Sequence, residues 1–128
     1  MKSKLFLMGL MTALLVGCGP SLSHTKDYSM GVGEIIEVPI SAISREQTIK
    51  VAAKSPGKPI MVHVYLADDA DVANEAIIMD KAIDQIITGK SGAEEISLEA
   101  KIPASKEAIV RFQPSGPTSA DVHLEITN

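Results

Sequence analysis

The chain has 128 residues, with 12 Lys and Arg against 16 Asp and Glu, a formal charge of -4, and 45% apolar side chains. That suits one small domain able to bury a core, and two Tyr, two Phe and no Trp make the core aliphatic, which excludes a sugar-binding platform of stacked aromatics. A pI near 5.3 without clustered Lys and Arg excludes partners with a phosphate backbone, so nucleic acid drops out.

Lys2 and Lys4 precede an apolar run from Leu5 to Val16, too short to cross about 30 Å of hydrocarbon as a helix. This is the layout of a cleaved signal peptide over residues 1–17. Leu15-Val16-Gly17-Cys18 resembles the lipobox of bacterial lipoproteins. The resemblance implies diacylglycerol on the Cys18 sulfur, cleavage before Cys18, acylation of the new amine, and the membrane as a partner through that lipid. Gly19 rather than Asp follows, which under the same resemblance points to the outer membrane. Cleavage removes Lys2 and Lys4 and leaves 10 Lys and Arg against 16 Asp and Glu, a formal charge of −6. Anionic lipid repels such a body, so attachment is expected through the acyl chains alone. Cys18 is the single cysteine, so stability must come from packing and not from disulfides.

Breakers and small polar residues from Gly19 to Asp27 predict a tether, taken as 18–30, with the folded domain over 31–128. From there the apolar period is two. Glu34 to Ile40 predicts a first strand with Ile36, Val38 and Ile40 inward and Pro39 marking an edge. Gln47 to Ala53 predicts a second, and Ile60 to Leu66, nearly all apolar, a central third. Between Asp68 and Thr88 the period changes: Val72, Ala76, Met79, Ile83, Ile86 and Ile87 recur at three and four. This predicts a helix near 70–88, opened by Asp68, Asp69 and Asp71 and closed at Gly89. Glu95 to Ile102, Glu107 to Gln113 and Ala120 to Thr127 return to period two and complete six strands. The fold class expected is therefore mainly β, a small antiparallel β-sandwich of jelly-roll type with one inserted α-helix.

Lys58 to Leu66, the helical excursion ending in Gly89-Lys90, Ile102 to Phe112, and Ala120 to Ile126 resemble bacterial pre-peptidase C-terminal and GOLD-like jelly-roll modules. The resemblance covers roughly 34–127 and implies an accessory or interaction module with no catalytic residues to carry over. Ser105-Lys106-Glu107-Ala108 departs from the Gly-Thr-Tyr-Tyr-like turn of the pre-peptidase group.

His63 and His123 are the candidates for metal or proton chemistry. Both occupy outward positions of their strands and could meet if those strands were neighbours, with Asp121, Glu125 or Tyr65 as a third ligand. No H-x-H, H-E-x-x-H or Cys-His spacing supports a metal site, so solvated surface histidines are expected. His24 falls in the tether. The Asp68-Asp69-Ala70-Asp71 cluster lacks the Gly and the bidentate Glu of a calcium loop, and helix capping accounts for it. Neither a nucleophile motif nor a phosphate loop is present, so neither an enzyme nor a cofactor is expected. The functional expectation is a membrane-anchored, non-catalytic binding or structural module of the cell envelope, docking an envelope protein on a sheet edge or the helix face. The alternative is a periplasmic small-ligand or metal-binding sensor using His63 and His123.

Overall fold

The computed structural model describes residues 22–128, and both the signal peptide expected over 1–17 and Cys18, the expected lipidation site, lie outside the described residues. In chain order the elements are β1 (Ser23–Met30), β2 (Ile36–Ile40), β3 (Gln47–Lys54), β4 (Ile60–Leu66), a 3₁₀ turn (Ala67–Asp69), α1 (Ala70–Ile78), β5 (Ile86–Ala93), β6 (Glu95–Ile102), β7 (Ala108–Pro114) and β8 (Ala120–Thr127). They form two four-stranded sheets, β1-β8-β3-β6 and β2-β7-β4-β5, antiparallel throughout. This strand order is that of a jelly roll, as expected.

Alternation places one face of each strand between the sheets. Ile49, Val51 and Ala53 of β3 and Ile96, Ala100 and Ile102 of β6 are buried there. Val62 and Val64 of β4 and Val110 and Phe112 of β7 face them from the second sheet. Phe112 also meets Tyr28 of β1 edge to face, ring centres 5.0 Å apart. Pro39 lies on β2, an edge strand, where a missing N–H costs least.

Three expectations are corrected. Residues 23–30 are not tether: β1 pairs along its whole length with β8, from Ser23 opposite Thr127 to Met30 opposite Ala120. Its inward row is His24, Lys26, Tyr28 and Met30, a period of two hidden by the polar character of its first two members. The helix does not run to residue 88. It stops at Ile78 because Asp80 takes the left-handed conformation (φ 56°), with Asp80 N–H donating to Ile77 O (3.1 Å) and Lys81 N–H to Ala76 O (2.8 Å). These two bonds are the Schellman closure, with Asp80 in the place usually held by Gly. Finally, Gly89 is a strand residue of β5, opposite His63. The sandwich therefore has eight strands where six are legible, the extra pair being β1 and β5.

The helix packs on the outer face of the second sheet through Ala73 and Ala76, while Val72 and Met79 of the expected apolar stripe are exposed. Asp69 makes no side-chain cap bond, and Asp68 pairs instead with Lys106 at 3.4 Å. Among the described residues no helix is long and apolar enough to cross a membrane.

Candidate functional site

The two candidate histidines are on different sheets, His63 on β4 and His123 on β8, so they do not come together. Among the described residues no group of three or more His, Cys, Asp or Glu side chains is placed to hold a metal. His123 lies exposed on the outer face of the first sheet. Its Nδ1 is 2.5 Å from Asp27 Oδ1, across the β1–β8 pair, and its Nε2 is 3.5 Å from Glu125 Oε2. The hydrogen bond to Asp27, then that to Glu125, raises its pKa above the ordinary value, so this histidine is the more readily protonated of the two. His24, on β1 and not in a tether, places its Nε2 3.0 Å from the Tyr28 hydroxyl.

His63 has a different setting. The registers of β2 with β7, β7 with β4, and β4 with β5 align Glu37, Arg111, His63 and Gly89 as one rung across all four strands of the second sheet. The side chains of Glu37, Arg111 and His63 point away from the sandwich core, to the face on which α1 packs. Arg111 is only 2% exposed, and its Nε and Nη1 have no hydrogen-bond partner among the described residues. Burial lowers its pKa, opposed by its electrostatic interactions with Tyr65 and Glu37. His63 is half-buried with an unpartnered Nδ1, and its pKa is lowered by burial first and by the Arg111 charge second. The two histidines are thus shifted in opposite directions.

One step along the strands, Tyr65 is fully buried beneath α1. Its hydroxyl lies 3.0 Å from Glu37 Oε2 and 3.1 Å from Asn74 Oδ1, so one proton serves two acceptors on β2 and α1. Burial, reinforced by the Glu37 carboxylate, pushes the phenol pKa well up, so it stays a donor. The Tyr65, Asn74 and Glu37 set pins the helix to the sheet. Neither Arg111 nor Tyr65 stands out in the sequence, since both occupy outward positions of strands whose other outward side chains are solvated or half-covered.

Beyond this cluster, the segment after α1 roofs a cleft of about 360 Å³. His63 and Gly89 line it with Thr88, Ile86 and, from the roof, Asp80 to Ile83. A Cβ at residue 89 would collide with the imidazole, so the ring occupies the space that glycine leaves. The outer face of the first sheet carries shallow depressions of about 390 Å³ over Ala52 and about 490 Å³ beside His123. The cluster offers an imidazole at the cleft and a buried cation beside it on the same face of the sheet.

No protein-family model and no curated protein sequence matches the chain. Solved structures do match in fold. The Yersinia pseudotuberculosis-derived mitogen is similar over 84% of this chain and 86% of its own, with a TM-score of 0.57 and 7% identity. PliG of Aeromonas hydrophila, a periplasmic lysozyme inhibitor of g-type lysozyme, is similar over 90% of this chain and 91% of its own, with a TM-score of 0.51 and 11% identity. At these identities the likeness is one of fold: the chain is a small, mainly β sandwich of two antiparallel four-stranded sheets with one short helix.

Proposed function

We propose that this chain is a lipid-anchored, non-catalytic binding module of the bacterial cell envelope, attached through Cys18 and engaging a protein partner with the α1 face. The observation that carries the reading is where apolar surface is left in water. Three of the five exposed large hydrophobics among the described residues, Val72 (50%), Ile78 (75%) and Met79 (53%), lie on α1 and its cap. Exposed apolar side chains gathered on one short element mark a docking surface. The hydrogen bonds of Tyr65 to Glu37 and Asn74 beneath it give that element a seat on the sheet. A fold neighbour named as a periplasmic lysozyme inhibitor supports the reading, since an inhibitor works by binding a protein. The lipobox-like Leu15-Val16-Gly17-Cys18 supports the anchor. Only Gly19 to Leu22 would separate the acylated cysteine from β1, which holds the sandwich within about 20 Å of the bilayer surface at about 3.5 Å per residue.

The test uses full-length protein as bait on detergent-solubilised envelope, beside Cys18→Ala and Ile78→Lys variants. Metabolic labelling with an acyl precursor reads the anchor separately. The reading expects label on wild type and none on Cys18→Ala, and one stoichiometric protein captured by wild type and lost with Ile78→Lys. A g-type lysozyme assay belongs among the arms. Capture that Ile78→Lys leaves intact removes the α1 face, and an unlabelled wild type removes the lipid.

A further inference from the structure

A sheet edge left unpaired is a template for another strand, and folded proteins usually blunt it. Among the described residues three of the four edges are blunted. β1 turns Lys26 toward the sandwich, its ammonium 5.1 Å from the Tyr28 ring centre. β2 carries Pro39. β5 departs from register with β4 at two places and carries Gly92 at φ 79°. The fourth, β6, has neither Pro, Gly nor bulge, and pairs with β3 without a shift from Ile102 opposite Gln47 to Glu95 opposite Lys54.

The hydrogen-bond parity of β6 follows from its first rung. Ser55 N–H donates to Glu94 O at 2.7 Å, so the closely bonded pairs of this ladder recur at every second residue, through Ile96, Leu98, Ala100 and Ile102. The peptide groups of Ser97, Glu99 and Lys101 point the other way, off the edge. Lys90 confirms the parity, since its Nζ reaches Ser97 O from that side at 3.4 Å. The N–H and C=O groups of Glu99 and Lys101 remain for a further strand.

We infer that β6 pairs antiparallel with β6 of a second copy of this chain, with Glu99 opposite Lys101 and Ala100 opposite Ala100. Charge favours this register over its two neighbours. A shift by one pair in one direction sets Glu99 against Glu99, and in the other Lys101 against Lys101, whereas the chosen register makes two opposite-charge pairs across the seam. Backbone groups agree. The residue set against Ser97 is Pro103, which has no N–H to give, and Ser97 O is the carbonyl that Lys90 already caps. Leu98 then meets Ile102 on the core-facing side, and the two first sheets join into one of eight strands. So short a seam belongs to the weak, reversible class of interface. It is independent of the α1 face, which lies on the other sheet.

The test is sedimentation equilibrium of the exported chain carrying Cys18→Ser, which removes the acylation site and leaves the sandwich whole. The inference expects a monomer–dimer equilibrium weakened about tenfold or more by Lys101→Glu and by Glu99→Lys, each of which turns both seam pairs repulsive. An equimolar mixture of the two variants restores dimer, as does the double exchange in one chain. Both side chains are exposed, and Glu99 stands opposite Lys50 of β3, so each variant's thermal midpoint is measured beside its sedimentation and a folding defect is recognised. A monomer at every concentration overturns the inference, and so does a dimer indifferent to both exchanges.

Discussion

His63 and Gly89 stand opposite one another on β4 and β5, and the imidazole fills the position a side chain at residue 89 would need. Gly89→Ala should therefore displace the ring and cost about 1–3 kcal/mol, a fall of several degrees in Tm for a domain of this size. Adding His63→Ala makes room for the new methyl group, so the double variant should be more stable than the sum of the two losses. Urea denaturation of the three variants measures the coupling, and strict additivity would show that the ring does not occupy that space.

Arg111 keeps a buried charge whose Nε and Nη1 find no partner among the described residues, while Glu37 beside it is exposed. Desolvation of the guanidinium is then poorly compensated, and Arg111→Met, which keeps the volume, should leave stability unchanged or raise it. Tyr65→Phe should behave oppositely, since it takes a shared proton from Glu37 and Asn74 and costs about 1 kcal/mol. Chemical denaturation compares the pair. A large loss in Arg111→Met would mean that the guanidinium is hydrogen-bonded in solution.

The pH dependence has two opposed parts. His63 has a folded pKa below its ordinary 6.5, so the unfolded chain takes up the proton first, and stability is lost as pH falls through 6.5 toward the folded value. His24, lowered by burial and Lys26, acts in the same direction. His123 has a raised pKa, so its contribution is complete below 6.5 and is lost as pH rises through the folded value. His63→Asn should flatten the acid limb of stability against pH, and His123→Asn the limb above 6.5. An NMR titration of the three imidazoles checks the order directly: His63 and His24 should titrate below His123.

Asp80 holds the left-handed position that ends α1. Asp80→Gly removes the steric cost of a side chain there and should stabilise by about 0.5–1 kcal/mol, whereas Asp80→Val should destabilise by about 1–2 kcal/mol. Thermal melts separate these outcomes. If both variants lose stability equally, the Asp80 carboxylate contributes more than its backbone conformation does.

Strands that bury one face of aliphatic residues were readable because side chains alternate across a sheet: β3, β4, β6, β7 and β8 each show their inward row as a run at every second residue. β1 and β5 were not. The inward row of β1 begins with His24 and Lys26, and β5 carries Gly89 and Gly92, so neither shows the apolar alternation that marks a strand. The helix was overrun because Ile83 and Ile86 continue the three-and-four spacing past Asp80 by coincidence, and a left-handed aspartate leaves no Gly or Pro to mark the stop.

At the candidate site the outward placement of His63 followed from alternation, but its neighbours did not. Whether His63 meets His123, Arg111 or Gly89 depends on which strands pair and in what register, and β4 pairs with β7 and β5, the nearer of which lies across the α1 excursion. By itself the sequence determined the β class, the aliphatic core and the outward histidine, because these depend on local period and composition. Only the tertiary structure decided that Glu37, Arg111, His63 and Gly89 form one rung on the sheet face where α1 packs, and that β6, among the described strands, is an edge with neither Pro, Gly nor bulge. Those relations join residues far apart in the chain, and they are set by the packing of two sheets rather than by any local pattern.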